Sequence, residues 1–292
     1  MLIRLATFTI ALLLLPPAAL AIAGQAWFEP TRIEGPVWLP TLVGACTVLA
    51  FGILLDTLTF HRTGHSLLRS QRSYLAWSGV AGTVTGTLFA YLNLFAGTWF
   101  TAGSDAQALL LAALSGTAVL PVILIARLWL AGLPGLVRLS TRKFALPALQ
   151  PETAAKFLLL AALTGLIGGT VWFDQLGWLF WSSPLLLLVA LQLLWHESTI
   201  FSGLAHGDWS RVLLGATSGI LVGGVALAIY RLSGGALYLT ANAWQLVAAL
   251  ALFGLFCLQI GDAVAEHWRG KPRNEVFKKK PFPISIVTRK DQ

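Results

Sequence analysis

A chain of 292 residues that is 57% hydrophobic and 11% charged leaves no room for a soluble domain, and a continuously apolar stretch such as Ser183 to Leu194 excludes the alternation of a transmembrane barrel. The formal charge of +8 requires no nucleic acid, because the basic residues gather in short loops and a tail, where anionic lipid headgroups attract them. The chain reads as an all-α polytopic membrane protein, a transmembrane helical bundle over 1–267 followed by a basic cytoplasmic tail over 268–292.

Eight spans are expected in chain order, at 3–24, 38–60, 74–98, 106–132, 154–173, 180–204, 210–231 and 240–266, each long enough to cross a hydrocarbon core. The first also resembles a secretory signal, with Arg4 ahead of an apolar run and small residues near Ala19 to Ala26; its cleavage would leave seven spans. If it is retained, Pro16 and Pro17 kink it. The loop after the second span holds Arg62, Arg69 and Arg72, and the loop after the fourth holds Arg138, Arg142, Lys143 and Lys156. The tail adds Arg269, Lys271, Arg273, Lys278, Lys279, Lys280, Arg289 and Lys290. The opposite loops carry only Arg32 and Arg231, so both termini are expected in the cytoplasm of a bacterium, with the bundle in its inner membrane. The segment around 133–153, basic and punctuated by proline, is expected at the interface.

Cys46 and Cys257 fall inside spans and read as small core residues, and the initiator is the only Met, which removes thioether ligation. No CxxC, HExxH, GxSxG or Walker-type motif is present, and the spacing of four between His61 and His65, which could ligate a metal, more commonly marks solvated interfacial histidines. Gly168–Gly169 and Gly223–Gly224 read as places of close helix packing.

The ionisable residues of the spans crowd toward their cytoplasmic ends: Asp56, His61, His65, His196, Glu197, Asp262, Glu266 and His267. An ionisable group at membrane depth is costly and is functional by default. Placed inside a helix over 180–204, His196 and Glu197 would lie about 10 Å within the boundary at 1.5 Å per residue, and their 100° separation turns at least one toward the bundle interior. Asp56, one turn from its helix end, reads as reaching the interface. His61 and His65 share a face if the second span continues as a helix, as do Asp262 and Glu266 on the eighth. Arg127 is a charge partner within reach of these carboxylates, and His206 and Asp208 read as solvated. Trp77 and Trp195 stand at the same level, either as interfacial belt or as walls that stack on a flat ring.

Histidines, carboxylates and aromatic walls at the headgroup edge suit a quinol, whose tail stays in lipid while its hydroxyls need acceptors for the protons released on oxidation. The candidate residues for quinol binding and proton handling are His61, His196, Glu197, Asp262, Trp77 and Trp195. No metal ligand set is expected.

The eight-span layout, "FHRTGHSLLRSQRSYLAWSG" after the second span and "LQIGDAVAEHW" at the end of the eighth resemble the integral-membrane anchor subunits of DMSO reductase-type molybdoenzymes. Phe60–His61 stands where that family has its loop histidine, Ser73–Tyr74–Leu75 where it has Ser-Trp-Leu, and Gly261–Asp262 where it has Gly-Glu. The family's Gly-Arg-Pro is absent after His61, Ser78 occupies the place of its acidic residue, and Glu266 or His267 replaces its final arginine. The resemblance implies a quinol-oxidising or non-catalytic subunit of a respiratory oxidoreductase. Such an anchor binds menaquinol without haem and passes electrons to an iron–sulfur subunit beside a molybdopterin catalytic subunit, with His61 the residue carried over. Anchors of that family face partners outside the cytoplasm, whereas charge counting puts His61 inside.

A transporter or proton-coupled channel, with the polar cluster as its cytoplasmic gate, is the alternative from another class, although no paired broken helices mark a midplane site. An intramembrane protease is a third reading, since "HESTIFSGLAH" is loosely similar to the glutamate motif of CAAX-type enzymes but lacks the second glutamate. A b-type haem would need His61 or His65 level with His196 on a facing helix.

Overall fold

The computed structural model describes residues 36–136, 145–147 and 150–269, the side chains of 266–269 excepted. The expected span 3–24, the tail from 270 and most of the loop after Leu136 lie outside these residues, as do the side chains of Glu266, His267 and Trp268.

Seven helices among the described residues are long and apolar enough to cross a membrane. In chain order the elements are α1 (Trp38–Thr63), the short α2 (Leu67–Ser70), α3 (Arg72–Ala96), β1 (Trp99–Thr101), α4 (Asp105–Ala131), α5 (Pro151–Val171), α6 (Phe173–Leu194), a 3-10 turn (Leu204–His206), α7 (Ser210–Leu232), β2 (Leu237–Leu239) and α8 (Ala243–Arg269). The all-α, multi-pass bundle expected from composition is the fold observed.

Local chemistry sets the helix ends. α1 stops at Gly64, whose φ of 71° admits the left-handed residue that closes the helix. Ser104 and Gln107 form a reciprocal capping box at the start of α4, and Asn242 and Gln245 exchange the same pair of bonds, both 2.9 Å, at the start of α8.

α4 is the axis of the bundle, packing on α1, α3, α7 and α8. Its side chains Leu120, Ile123, Ala126, Trp129 and Leu130 are sealed from the surface. Without a hydrophobic drive between helices in lipid, approach depends on small residues. A Cβ on Gly82 of α3 would collide with the backbone carbonyl of Gly116 on α4, and one on Gly219 of α7 would lie 2.5 Å from Gly254 Cα on α8. The glycine pairs read as packing sites are such sites: a Cβ on Gly169 would stand 2.6 Å from Phe180 Cβ, and one on Gly223 2.6 Å from Leu250 Cδ2. α5 and α6 form a tight hairpin that joins the other helices chiefly through α6 against α8.

Two ends of the bundle result. At one, β1 and β2 pair antiparallel with Phe100 opposite Tyr238. Asn93 fixes the turn before β1 by donating to Trp99 O at 2.7 Å and accepting from Thr98 N at 3.0 Å. This small sheet was not expected from the sequence, where its three-residue strands lie inside loops. The other end carries Arg62, Arg69, Arg72, Arg127 and Arg211 and is termed the basic end.

Candidate functional site

The basic end holds three polar assemblies, each made where a helix terminus meets another element.

Asp56 starts the first. Instead of reaching the interface it is 4% exposed, and it accepts from Ser66 Oγ, from Leu67 N at 2.9 Å and from Leu68 N at 3.5 Å. Its carboxylate thus satisfies the first amides of α2, the group that a helix N-terminus leaves unpaired and that favours negative charge. The expectation of a solvated Asp56 is corrected: Ser66, ten residues on, brings the chain back over it. The same turn corrects the pairing of His61 with His65, because α1 ends at Thr63 and His65 falls in the turn. Both histidines are exposed, and the His61 ring meets Phe60 edge-on at 6.1 Å.

The second assembly corrects the sixth span. α6 begins at Phe173, with Trp172 alone between it and the end of α5, and stops at Leu194 rather than 204. His196 follows the helix with a φ of 56° and is exposed, while Glu197 is half-buried. Neither lies on a helix deep in the bundle. The physical cause is local competition by hydroxyls for backbone bonds: Ser202 Oγ accepts from Thr199 N at 2.8 Å and Thr199 Oγ1 accepts from Phe201 N at 3.2 Å. Gln259 of α8 then pins the departing chain, accepting from Ile200 N at 2.8 Å through Oε1 and donating from Nε2 to Gln192 Oε1. The amide of Ile200 can only donate, so it fixes which end of Gln259 faces it, and Gln259 in turn fixes Gln192. Gln192 and Gln259 are 1% and 0% exposed. They are the groups that allow a non-helical backbone at this depth.

The third assembly is ionic. Asp262 of α8 is 8% exposed and pairs with Arg211 of α7 through Oδ2, while Oδ1 faces Arg127 Nη1 of α4 at 4.0 Å. That longer separation exceeds hydrogen-bonding range. Three helices therefore converge on one carboxylate, and Tyr74 of α3 adds a fourth by donating to Gly261 O at 3.1 Å. Removing either charge would strand its partner in a medium where an unpaired ion costs several kcal/mol. Just outside, Asp208 accepts from Ser210 N at 2.9 Å. Hydrogen bonds from the Ser210 side chain and backbone, with the nearby Arg211 charge, hold its carboxyl below the usual range against a small burial cost.

Of the six residues expected to form one site, Asp262 alone is buried; His61, His196, Trp77 and Trp195 are exposed and Glu197 is half-buried. Arg127 was expected as a carboxylate partner and takes that place. Arg211, Gln192, Gln259 and Ser66 were missed. Arg211 reads in sequence as one more topology charge, and nothing local ties it to an aspartate 51 residues away. The glutamines had a legible signal, an amide in the middle of an apolar run. No group of three or more His, Cys, Asp or Glu that could hold a metal occurs among the described residues.

The fold and these intramembrane ions define a multi-pass α-helical membrane protein with a polar cluster at one end. No family model, curated protein or solved structure matches the chain.

Proposed function

We propose that the chain is a quinol-interacting subunit of a respiratory membrane oxidoreductase, an anchor in the bacterial inner membrane that delivers electrons from menaquinol to an iron–sulfur partner. The observation that carries this reading is the buried Asp262 between Arg211 and Arg127. A hydroquinone hydroxyl seated between Oδ1 and the Arg127 guanidinium would donate to the first and accept from the second, so the site would orient the ring and receive a proton as electrons leave. Arg211 on Oδ2 keeps the carboxylate oriented. Arg127 has 30% of its side chain exposed, which gives a ligand from the membrane edge a way to it. His61, His196 and Glu197, nearer the surface of the same end, would pass the proton on to water.

The test is a titration of the purified full chain in detergent with a fluorescent quinol-site inhibitor. Binding is expected to quench the probe, to weaken at least tenfold in Asp262→Asn and Arg127→Gln, and to change little in Trp195→Phe. Equal quenching by both variants and the parent would overturn the site. Solute flux through proteoliposomes holding this chain alone, without inhibitor binding, would favour the transporter reading instead.

A further inference from the structure

A cleft of roughly 540 Å³ opens at the basic end between the start of α3 and the last turns of α8, lined by Arg69, Ser70, Gln71, Arg72, Ser73, Tyr74 and Ala265. It adjoins two of the assemblies above: Tyr74 borders the ionic one, and Arg69 and Ser70 lie on α2, whose first amides Asp56 satisfies. Its described lining offers two guanidinium groups and the Ser73 hydroxyl to an anion, the Ser70 and Tyr74 hydroxyls donating to Ser66 O and Gly261 O. Both arginines are held in place: the Arg69 guanidinium lies 4.1 Å from the centre of the Phe60 ring, and Arg72 Nε donates to Leu68 O at 3.1 Å. Two guanidinium groups held in this way suit an anionic oxygen such as that of a phosphate ester.

A second observation identifies the kind of molecule that bears the phosphate. Trp77, Val80, Val84, Leu88, Tyr91 and Phe95 of α3 are all exposed. Their spacing of three and four residues places them on one stripe of the helix, which an acyl chain can follow through the hydrocarbon layer. Continued one turn toward the basic end, the same stripe reaches Ser73, which lines the cleft. Cleft and apolar stripe therefore meet on one face of one helix, at the basic end.

We propose that this cleft binds the phosphodiester of an anionic phospholipid of the adjoining leaflet, with Arg69 and Arg72 on the phosphate oxygens, the Ser73 hydroxyl on the headgroup and an acyl chain along Trp77 to Phe95. This assignment does not depend on the quinol reading.

Native mass spectrometry of the full chain, released from nanodiscs of phosphatidylglycerol and phosphatidylcholine in equal amounts, reads the bound lipid directly. The parent is expected to retain phosphatidylglycerol over phosphatidylcholine, and Arg69→Gln/Arg72→Gln to lose that retention about tenfold. Arg69→Lys/Arg72→Lys should keep most of it and report that the fold survives. Arg62→Gln/Lys156→Gln removes the same net charge from exposed positions and should leave retention intact. Equal retention by the Arg69→Gln/Arg72→Gln protein, an equal loss in the Arg62→Gln/Lys156→Gln control, or no preference between the lipids would overturn the proposal. Displacement of the lipid by millimolar inorganic phosphate would assign the site to a free anion and overturn it as well.

Discussion

Gln259→Leu tests the architecture at the break after α6. The substitution removes an acceptor from Ile200 N and a donor from Gln192 Oε1, and all three residues are 1% exposed or less. An orphaned buried group costs about 1–3 kcal/mol, which would give about 2–6 kcal/mol for two. Interhelical hydrogen bonds in membrane proteins measure lower, near 0.6 kcal/mol on average, because the chain finds other partners when they are lost. Leucine also fits an apolar surrounding better than an amide does. The expected net loss is therefore about 2–3 kcal/mol. Gln192→Leu should cost less, about 1 kcal/mol: it orphans only Gln259 Nε2 and removes a buried Gln192 Nε2 that has no hydrogen-bond partner. The assay is equilibrium unfolding in mixed micelles against increasing denaturing detergent, combined with hydrogen exchange across 195–203, where Gln259→Leu should raise the rates and Gln192→Leu raise them less. A Gln259→Leu protein within about 0.5 kcal/mol of the parent, or a Gln192→Leu protein more damaged than it, would refute the donor and acceptor roles of Gln259.

Arg211→Gln and Asp262→Asn should each destabilise the protein, and the double variant should lose less than their sum by about 1–3 kcal/mol, since each single change strands a buried charge; a double-mutant cycle of unfolding free energies reads this directly. Gly82→Leu should prevent α3 from closing on α4 and cost about 1–3 kcal/mol or more, whereas Gly44→Ala, where an added Cβ meets nothing within 4 Å, should be neutral or stabilising by thermal denaturation in detergent. Asp208 carries a depressed pKa, so its contribution is fully present above the unfolded value near 3.8 and is lost as pH falls through the folded one. Asp208→Asn should therefore weaken the start of α7 at pH 7 and make no difference in strong acid, as followed by proteolysis of the 203–210 turn across pH.

Trp77 and Trp195 show how far the site was legible in sequence. Both lie near the basic end, yet exposure depends on which side of a helix neighbours cover, and that is decided by contacts between distant segments. The helical class, the spans from α1 onward and the basic end follow from local quantities, namely hydropathy over about twenty residues and the siting of Lys and Arg. The glycine packing sites were readable for a similar reason, because small residues inside apolar helices have few other uses. The end of α6 was not placed by hydropathy alone: Ile200, Phe201 and Leu204 resume apolar character beyond the polar run His196 to Thr199, and the hydroxyls of Thr199 and Ser202, with Gln259 on another helix, make leaving the helix favourable. Tertiary structure alone turned Asp56 inward to cap α2 and set Arg211 on Asp262. Each is a bond between groups that are separate in the chain, and the energy of a buried charge depends on the partner that folding brings to it.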